Sequence, residues 1–154
     1  MTRPSKDDYY LNIALEVSKR STCLRRNFGA VIVNKDEIIS TGYNGAPRGA
    51  TSCLDIGLCK RQELKIPSGE RYELCRSVHA EANAIISASR DRMIGGKIYI
   101  SGIDLENNKK LAEAQPCKMC KRMIINAGLQ EVIIRAANGG IKKYSVEEFL
   151  KDEI

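Results

Sequence analysis

Two short runs rich in β-branched and aromatic residues, KIYIS at 97–101 and EVIIR at 131–135, are separated by a helical pattern, PCKMCKRMIINAGL at 116–129. A connection of about a dozen residues or more joins parallel strands, whereas a tight turn joins antiparallel ones. Pro116 suits the first helical turn, where its missing N–H leaves no bond unmade, and Gly128 suits the left-handed position just past the end. Upstream, 30–33 and 38–41 are apolar runs separated by the polar turn 34–37, which predicts an antiparallel hairpin. One parallel pair and one antiparallel pair make a mixed sheet, with helices to cover it.

Three further helices follow from spacing. Ser5 and Asp8 resemble a capping box, and Tyr9, Tyr10, Ile13, Ala14 and Val17 recur on one face, which predicts a helix over 6–20. Ala82, Ile85, Ile86 and Ser89 share one side of a helix over 80–90, closed by Gly95 and Gly96. A last helix starts near Ser145 with acids in its first turn, and 141–144 only faintly suggests a further strand. The expectation is one α/β domain over 1–154, a central mixed β-sheet of four to five strands flanked by helices.

The segment 43–77 resists this reading. It has no clear periodicity, and a stretch that long within a compact domain is usually functional. It also carries Cys53, Cys59 and Cys75, half of the chain's six cysteines. No run approaches the roughly 18 apolar residues that cross a bilayer, so no membrane association and a cytoplasmic location are expected. In that reducing setting cysteines serve as metal ligands, catalytic groups or small hydrophobes more often than as disulfides. The net charge of +6 suits an anionic ligand and equally suits a solvated surface, since basic pairs such as Arg25–Arg26 and Lys142–Lys143 are scattered among acids.

Chemistry concentrates in two places. The chain's one histidine, His79, stands in SVHAEANAI, two residues before Glu81. Alone it reads as a hydrogen-bonded structural residue. Cys117 and Cys120 change that, because P-C-x-x-C at a helix start turns both sulfurs one way and sets them at the positive end of the helix dipole. Two thiolates and an imidazole give three zinc ligands and leave a fourth position for water, the arrangement of a catalytic site. In a regular helix Glu81 would lie about 200° around from His79. Both face one pocket only if His79 sits at the helix start. H-x-E with P-C-x-x-C is the pattern of zinc nucleobase deaminases.

On these motifs the sequence resembles the cytidine deaminase-like superfamily, and within it the deoxycytidylate (dCMP) deaminases. The first helix, GAVIV, ISTGYNGAPRG, VHAEANAI, IYIS and PCKMC stand in that family's order. The resemblance implies a three-layer fold and zinc-dependent hydrolysis of dCMP to dUMP. His79, Cys117 and Cys120 hold the metal, and Glu81 shuttles protons for the zinc-activated water that attacks the base. It implies a substrate contact at Asn44; the Gly45 amide, with no side chain in the way, could approach an anion, and Arg26 and Arg48 are candidates for the phosphate. It also implies a second, structural zinc with Cys23 and Cys53 at its ligand positions, Cys59 and Cys75 completing the set by count and proximity, together with dCTP and dTTP as effectors acting through Arg90 and a homo-oligomer, in many members a hexamer. Nucleic acid is not the expected partner. The polar loop 102–115 departs from the family, whose strand usually runs almost directly into the zinc cysteines. Other zinc deaminases, acting on cytidine, deoxycytidine, guanine or tRNA adenosine, stay open as alternatives, as does a non-catalytic zinc-stabilised interaction module.

Overall fold

The computed structural model describes residues 2–151. The first helix, α1 (Lys6–Ser18), starts at Ser5, whose hydroxyl accepts from the amide of Asp8. The hairpin forms as β1 (Arg26–Asn34) and β2 (Glu37–Tyr43). Its two turn residues, Lys35 and Asp36, both have positive φ, 51° and 61°, which matches the twist of the strands that they join. Asp36 repays this conformation by bonding the Tyr10 hydroxyl (2.7 Å) and the Lys6 ammonium (2.8 Å) of α1.

The refractory segment is not structureless. It holds α2 (Cys53–Ile56), α3 (Lys60–Glu63) and a single 3₁₀ turn (Tyr72–Leu74). These elements are too short for a periodic pattern to register. The helix expected over 80–90 is broken in two, α4 (Ala80–Ile86) and α5 (Arg90–Met93). Ser89 takes extended backbone (φ −81°, ψ 146°) and starts α5, as serine readily does at a helix entrance. Ile86, expected on the inner face, is 71% exposed.

The parallel unit is as expected: β3 (Lys97–Asp104), α6 (Lys118–Ala127) and β5 (Glu131–Arg135). Pro116 lies one residue outside the helix, however, because Cys117 is the N-cap; Gly128 closes the helix in the left-handed conformation (φ 82°). The sheet has six strands, one more than the four to five expected. The loop 102–115 contains β4 (Lys110–Leu111), hydrogen-bonded back onto β3, and the faint suggestion at 141–144 is a full strand, β6 (Ile141–Ser145), leading into α7 (Val146–Lys151). The sheet runs β2-β1-β3-β5-β6 with β4 on β3, and only β3–β5 is parallel.

Side chains alternate across this sheet with period two. Ala30, Ile32, Ile98, Ile100, Val132 and Ile134 point to the face covered by α4, α6 and α7. Val31, Val33, Tyr99 and Ile133 point to the other face, under Tyr10, Leu11 and Ala14 of α1. Both faces are dry, which gives three layers. Gly42 of β2 lets α4 approach closely: a Cβ there would lie 2.4 Å from the Ala84 amide nitrogen and 2.5 Å from the Ala80 carbonyl oxygen. This contact seats α4, and with it the residues at its start.

Candidate active site

His79 is the N-cap of α4, in extended backbone (φ −69°, ψ 154°), so its imidazole is freed from the helical screw and turns toward α6. Cys117, the N-cap of α6, and Cys120, one turn in, face it from the facing helix start. Nδ1 of His79 lies 3.5 Å from the Cys117 sulfur and 3.4 Å from that of Cys120. Tetrahedral bonds of about 2.0 Å to nitrogen and 2.3 Å to sulfur would separate such atoms by roughly 3.5 Å, so the three groups fit one zinc ion without rearrangement. Among the described residues, no other three His, Cys, Asp or Glu side chains bring their ligand atoms within 4.8 Å of one another.

The electrostatics are those of a thiol pair ready for a cation. A hydrogen bond from Cys120 and the nearby imidazole hold Cys117 down to about 4, against the opposing effect of burial. Cys120, paired with that sulfur and buried, is shifted up in return. Glu81 is 6% exposed, and burial is the main cause that raises its carboxyl above the usual range, offset in part by His79. Burial of this kind favours the protonated carboxyl, so Glu81 binds a proton more readily than a solvated glutamate does.

His79, Glu81 and Cys117 form one wall of a cavity of about 180 Å³, lined also by Phe28, Asn44, Tyr72 and Gln115. Asn44, expected at the substrate, is first a structural peg. Its carbonyl accepts from the Phe28 amide and its nitrogen donates to the Arg26 carbonyl, both at 2.9 Å, which leaves one N–H for the cavity. Arg26 lines the cavity with its guanidinium 3.7 Å from Asp104. Gly45 and Arg48 do not line it. They border a separate groove, and the Gly45 amide, expected to be open to an anion, donates to the Val78 carbonyl (3.1 Å). Arg90 is remote as well, donating to the Asn126 carbonyl at the end of α6 (2.9 Å).

Cys23, Cys59 and Cys75 line the same cavity, and Cys53 is buried beside them. Burial, then the neighbouring Cys23, Cys75 and Cys59, push the Cys53 thiol up. The amides of Arg25 and Ser77 donate to the sulfurs of Cys23 and Cys75 at 3.4 Å each. Arg61, Tyr72 and Ser77 were not singled out by sequence reasoning. They come from the aperiodic segment, and no spacing points to them. The Ser77 hydroxyl is buried with no hydrogen-bond partner among the described residues, at the cavity wall.

Comparison with known proteins agrees with this geometry. Residues 4–136 match the family model for the cytidine and deoxycytidylate deaminase zinc-binding region. The chain is 35% identical over 137 residues to the deoxycytidylate deaminase of Mycobacterium phage D29, covering 86% of this chain and 96% of that protein. It is 36% identical over 131 residues to the deoxycytidylate deaminase of Schizosaccharomyces pombe, where 85% of this chain matches only 37% of the longer protein. The crystal structure of dCMP deaminase from the cyanophage S-TIM5 in complex with dCMP and dUMP superposes with a TM-score of 0.60 at 25% identity, over 88% of this chain and 84% of that one. A three-layer sheet, a converged His/Cys/Cys set with a buried glutamate and a family match that spans most of the sequence lead to one conclusion: this chain belongs to the cytidine and deoxycytidylate deaminase zinc-binding family.

Proposed function

We propose that the protein hydrolyses dCMP to dUMP and ammonia. The observation that carries this reading is the position of Glu81: a buried carboxyl beside the converged His79, Cys117 and Cys120, at the wall of a partly open cavity. The dCMP and dUMP bound in the cyanophage relative favour the nucleotide as substrate.

His79, Cys117 and Cys120 would hold the zinc, which when bound supplies an acidified water as nucleophile. Two thiolates and one neutral imidazole cancel the ion's formal charge, so less acidification is available than in an all-histidine site. Glu81 makes up the difference. Its carboxylate takes a proton from the attacking water and passes it to the ring nitrogen beside the reacting carbon. It then takes the second proton of that oxygen and delivers it to the exocyclic amine. The carbon–amine bond breaks, ammonia leaves and a carbonyl remains. Asn44, with its free N–H, and Arg26 are the proposed substrate contacts.

Three companion features belong to the same reading. A structural zinc at Cys23, Cys53, Cys59 and Cys75 belongs to this reading: the amide bonds to two of the sulfurs favour thiolates, and binding would have to draw the four sulfurs closer than they stand, since no three of them lie within 4.8 Å of one another. Metal analysis would then find two zinc ions per chain. Assembly of several copies, up to a hexamer, is supported by the exposed Ile86 and Ile94, and dCTP and dTTP as effectors acting near Arg90 follow from the family resemblance alone. Sedimentation with and without each nucleotide tests it. A cytoplasmic setting is supported by six unpaired cysteines; among the described residues no helix is long and apolar enough to cross a membrane.

Ammonia release from dCMP, CMP, deoxycytidine, cytidine, dCTP, guanine and adenosine tests the substrate. Preference for dCMP is expected; preference for deoxycytidine overturns the phosphate requirement and keeps the chemistry. Salt separates a mononucleotide enzyme from an RNA editor, because only the latter releases many counterions on binding.

A further inference from the structure

Metal-bound histidines almost always donate their second ring nitrogen to a carboxylate, carbonyl or water, which fixes the ring. Among protein groups, what holds the His79 ring is an aromatic contact. The ring's Nδ1 faces the two sulfurs, and among the described residues no group accepts a hydrogen bond from Nε2. What packs on the ring is Tyr72, with centroids 5.2 Å apart and planes at 85°. The guanidinium of Arg61 lies over the Tyr72 ring, 4.5 Å from its centroid. Arg61 is only 7% exposed, and Nε and Nη2 donate to the carbonyls of Glu70 and Pro67, both at 3.1 Å. A buried arginine spent on two loop carbonyls and an aromatic face, with no acidic partner in those bonds, is a costly construction unless it fixes something.

We propose that Arg61 and Tyr72 are positioning residues for the catalytic metal: the guanidinium fixes the tyrosine ring, and the ring sets the orientation of the His79 imidazole. This rests on the reading that His79, Cys117 and Cys120 hold zinc. It assigns the 60–76 segment a role in the reaction that its cysteines alone do not give it. The edge-to-face contact restrains ring rotation where a hydrogen bond ordinarily would, and Arg61 removes the freedom of a tyrosine on an irregular segment. The Tyr72 hydroxyl plays no part, so phenylalanine should serve equally.

The single histidine makes the test clean, because its ring-nitrogen resonances report this site and no other. Zinc is titrated in a chelator buffer and followed by ¹⁵N NMR of the His79 side chain in the full-length protein. Tyr72→Phe should keep the wild-type midpoint. Tyr72→Leu should weaken zinc binding about 10- to 100-fold, the usual effect of losing an outer partner of a metal ligand. Arg61→Ala should weaken it by a comparable factor, and the double variant should be little worse than Tyr72→Leu, since the two act through one ring. If Arg61→Ala does not fold, Arg61→Lys, which keeps the cation and loses the planar fork, should fall between wild type and Tyr72→Leu. If Tyr72→Leu does not fold, Tyr72→Met replaces it with the same expectation. Folded Tyr72→Leu or Tyr72→Met with wild-type midpoint and resonances overturns the inference, as do additive losses in the double variant. Failure of the deaminase reading is distinct: wild-type protein that binds zinc at His79 yet releases no ammonia from any base.

Discussion

The wall of the active site is assembled from two regions built on different physics. Helices α4 and α6 rest on the sheet through fully buried Ala80, Ala84 and Ile124, so the ligands at their starts inherit the rigidity of a close-packed core. The segment 52–77, which forms the opposite wall, buries little apolar surface. Leu54, Leu58 and Leu64 are each more than half exposed (53%, 52% and 54%), and Cys53 and Arg61 are among its few buried residues. It is fastened by polar and aromatic contacts: Ser52 and Asp55 cap each other across the start of α2, and Arg61 spans the loop from α3 to the 3₁₀ turn. One region holds its shape by excluding water. The other depends on a few specific contacts, so it is the region most easily released by one substitution.

The sharpest way to break the comparison is to leave both regions intact and remove the proposed proton carrier. Glu81→Gln should retain zinc and fold while losing about 100- to 10,000-fold in turnover, measured as ammonia release beside metal analysis. Near-normal turnover would sink the assignment. Next, Gly42→Ala strikes the rigid region. Its methyl would press on the backbone of α4, so we expect about 1–3 kcal/mol of lost stability in denaturant unfolding, with a fall in turnover as His79 and Glu81 shift. Cys53→Ser strikes the other region: zinc content should drop toward one per chain and protease should cut between residues 54 and 70, while the sheet melts nearly as before. A collapse of global stability equal to that of Gly42→Ala would erase the distinction.

The smallest expected effect concerns acid. The Asp7 carboxyl is raised by partial burial, but bonds from Lys143 (2.8 Å) and the Tyr99 hydroxyl (2.9 Å) outweigh this and leave it below its ordinary 3.8. Its folded value being depressed, Asp7 contributes stability that is present above that ordinary value and lost as pH falls through the folded one. Asp7→Asn should be less stable than wild type at neutral pH and converge with it in acid, shown by thermal melts across pH. A constant gap at every pH would remove Asp7 from the clamp between α1 and β6.

What could be read from the residues divides along the same line. Strands with alternating apolar side chains and helices with marked ends reveal themselves because burial and capping impose a period, and the His79, Glu81, Cys117 and Cys120 set is legible because a metal site of the kind proposed demands particular residue types and spacings. The requirement that His79 stand at a helix start to share a pocket with Glu81 is met by its N-cap position. Short helices at 53–56 and 60–63 leave no periodic trace, and β4 is two residues long. Asn44, Gly45 and Arg48 sit in one recognisable stretch, yet the backbone turns after Asn44 and sends only that residue to the cavity. Residue type cannot show such a turn. Arg61 and Tyr72 escape for the same reason, since their meeting depends on the path of an irregular loop.

The hairpin between β3 and α6 reaches beyond its own strands. One carboxylate oxygen of Glu106, at its tip, receives both Arg25 Nε (3.0 Å) and Gln62 Nε2 (2.7 Å), tying the start of β1 to α3. Shortening this hairpin should therefore loosen the cysteine-bearing segment as well, because α3 would lose the carboxylate that ties it to the approach to β1.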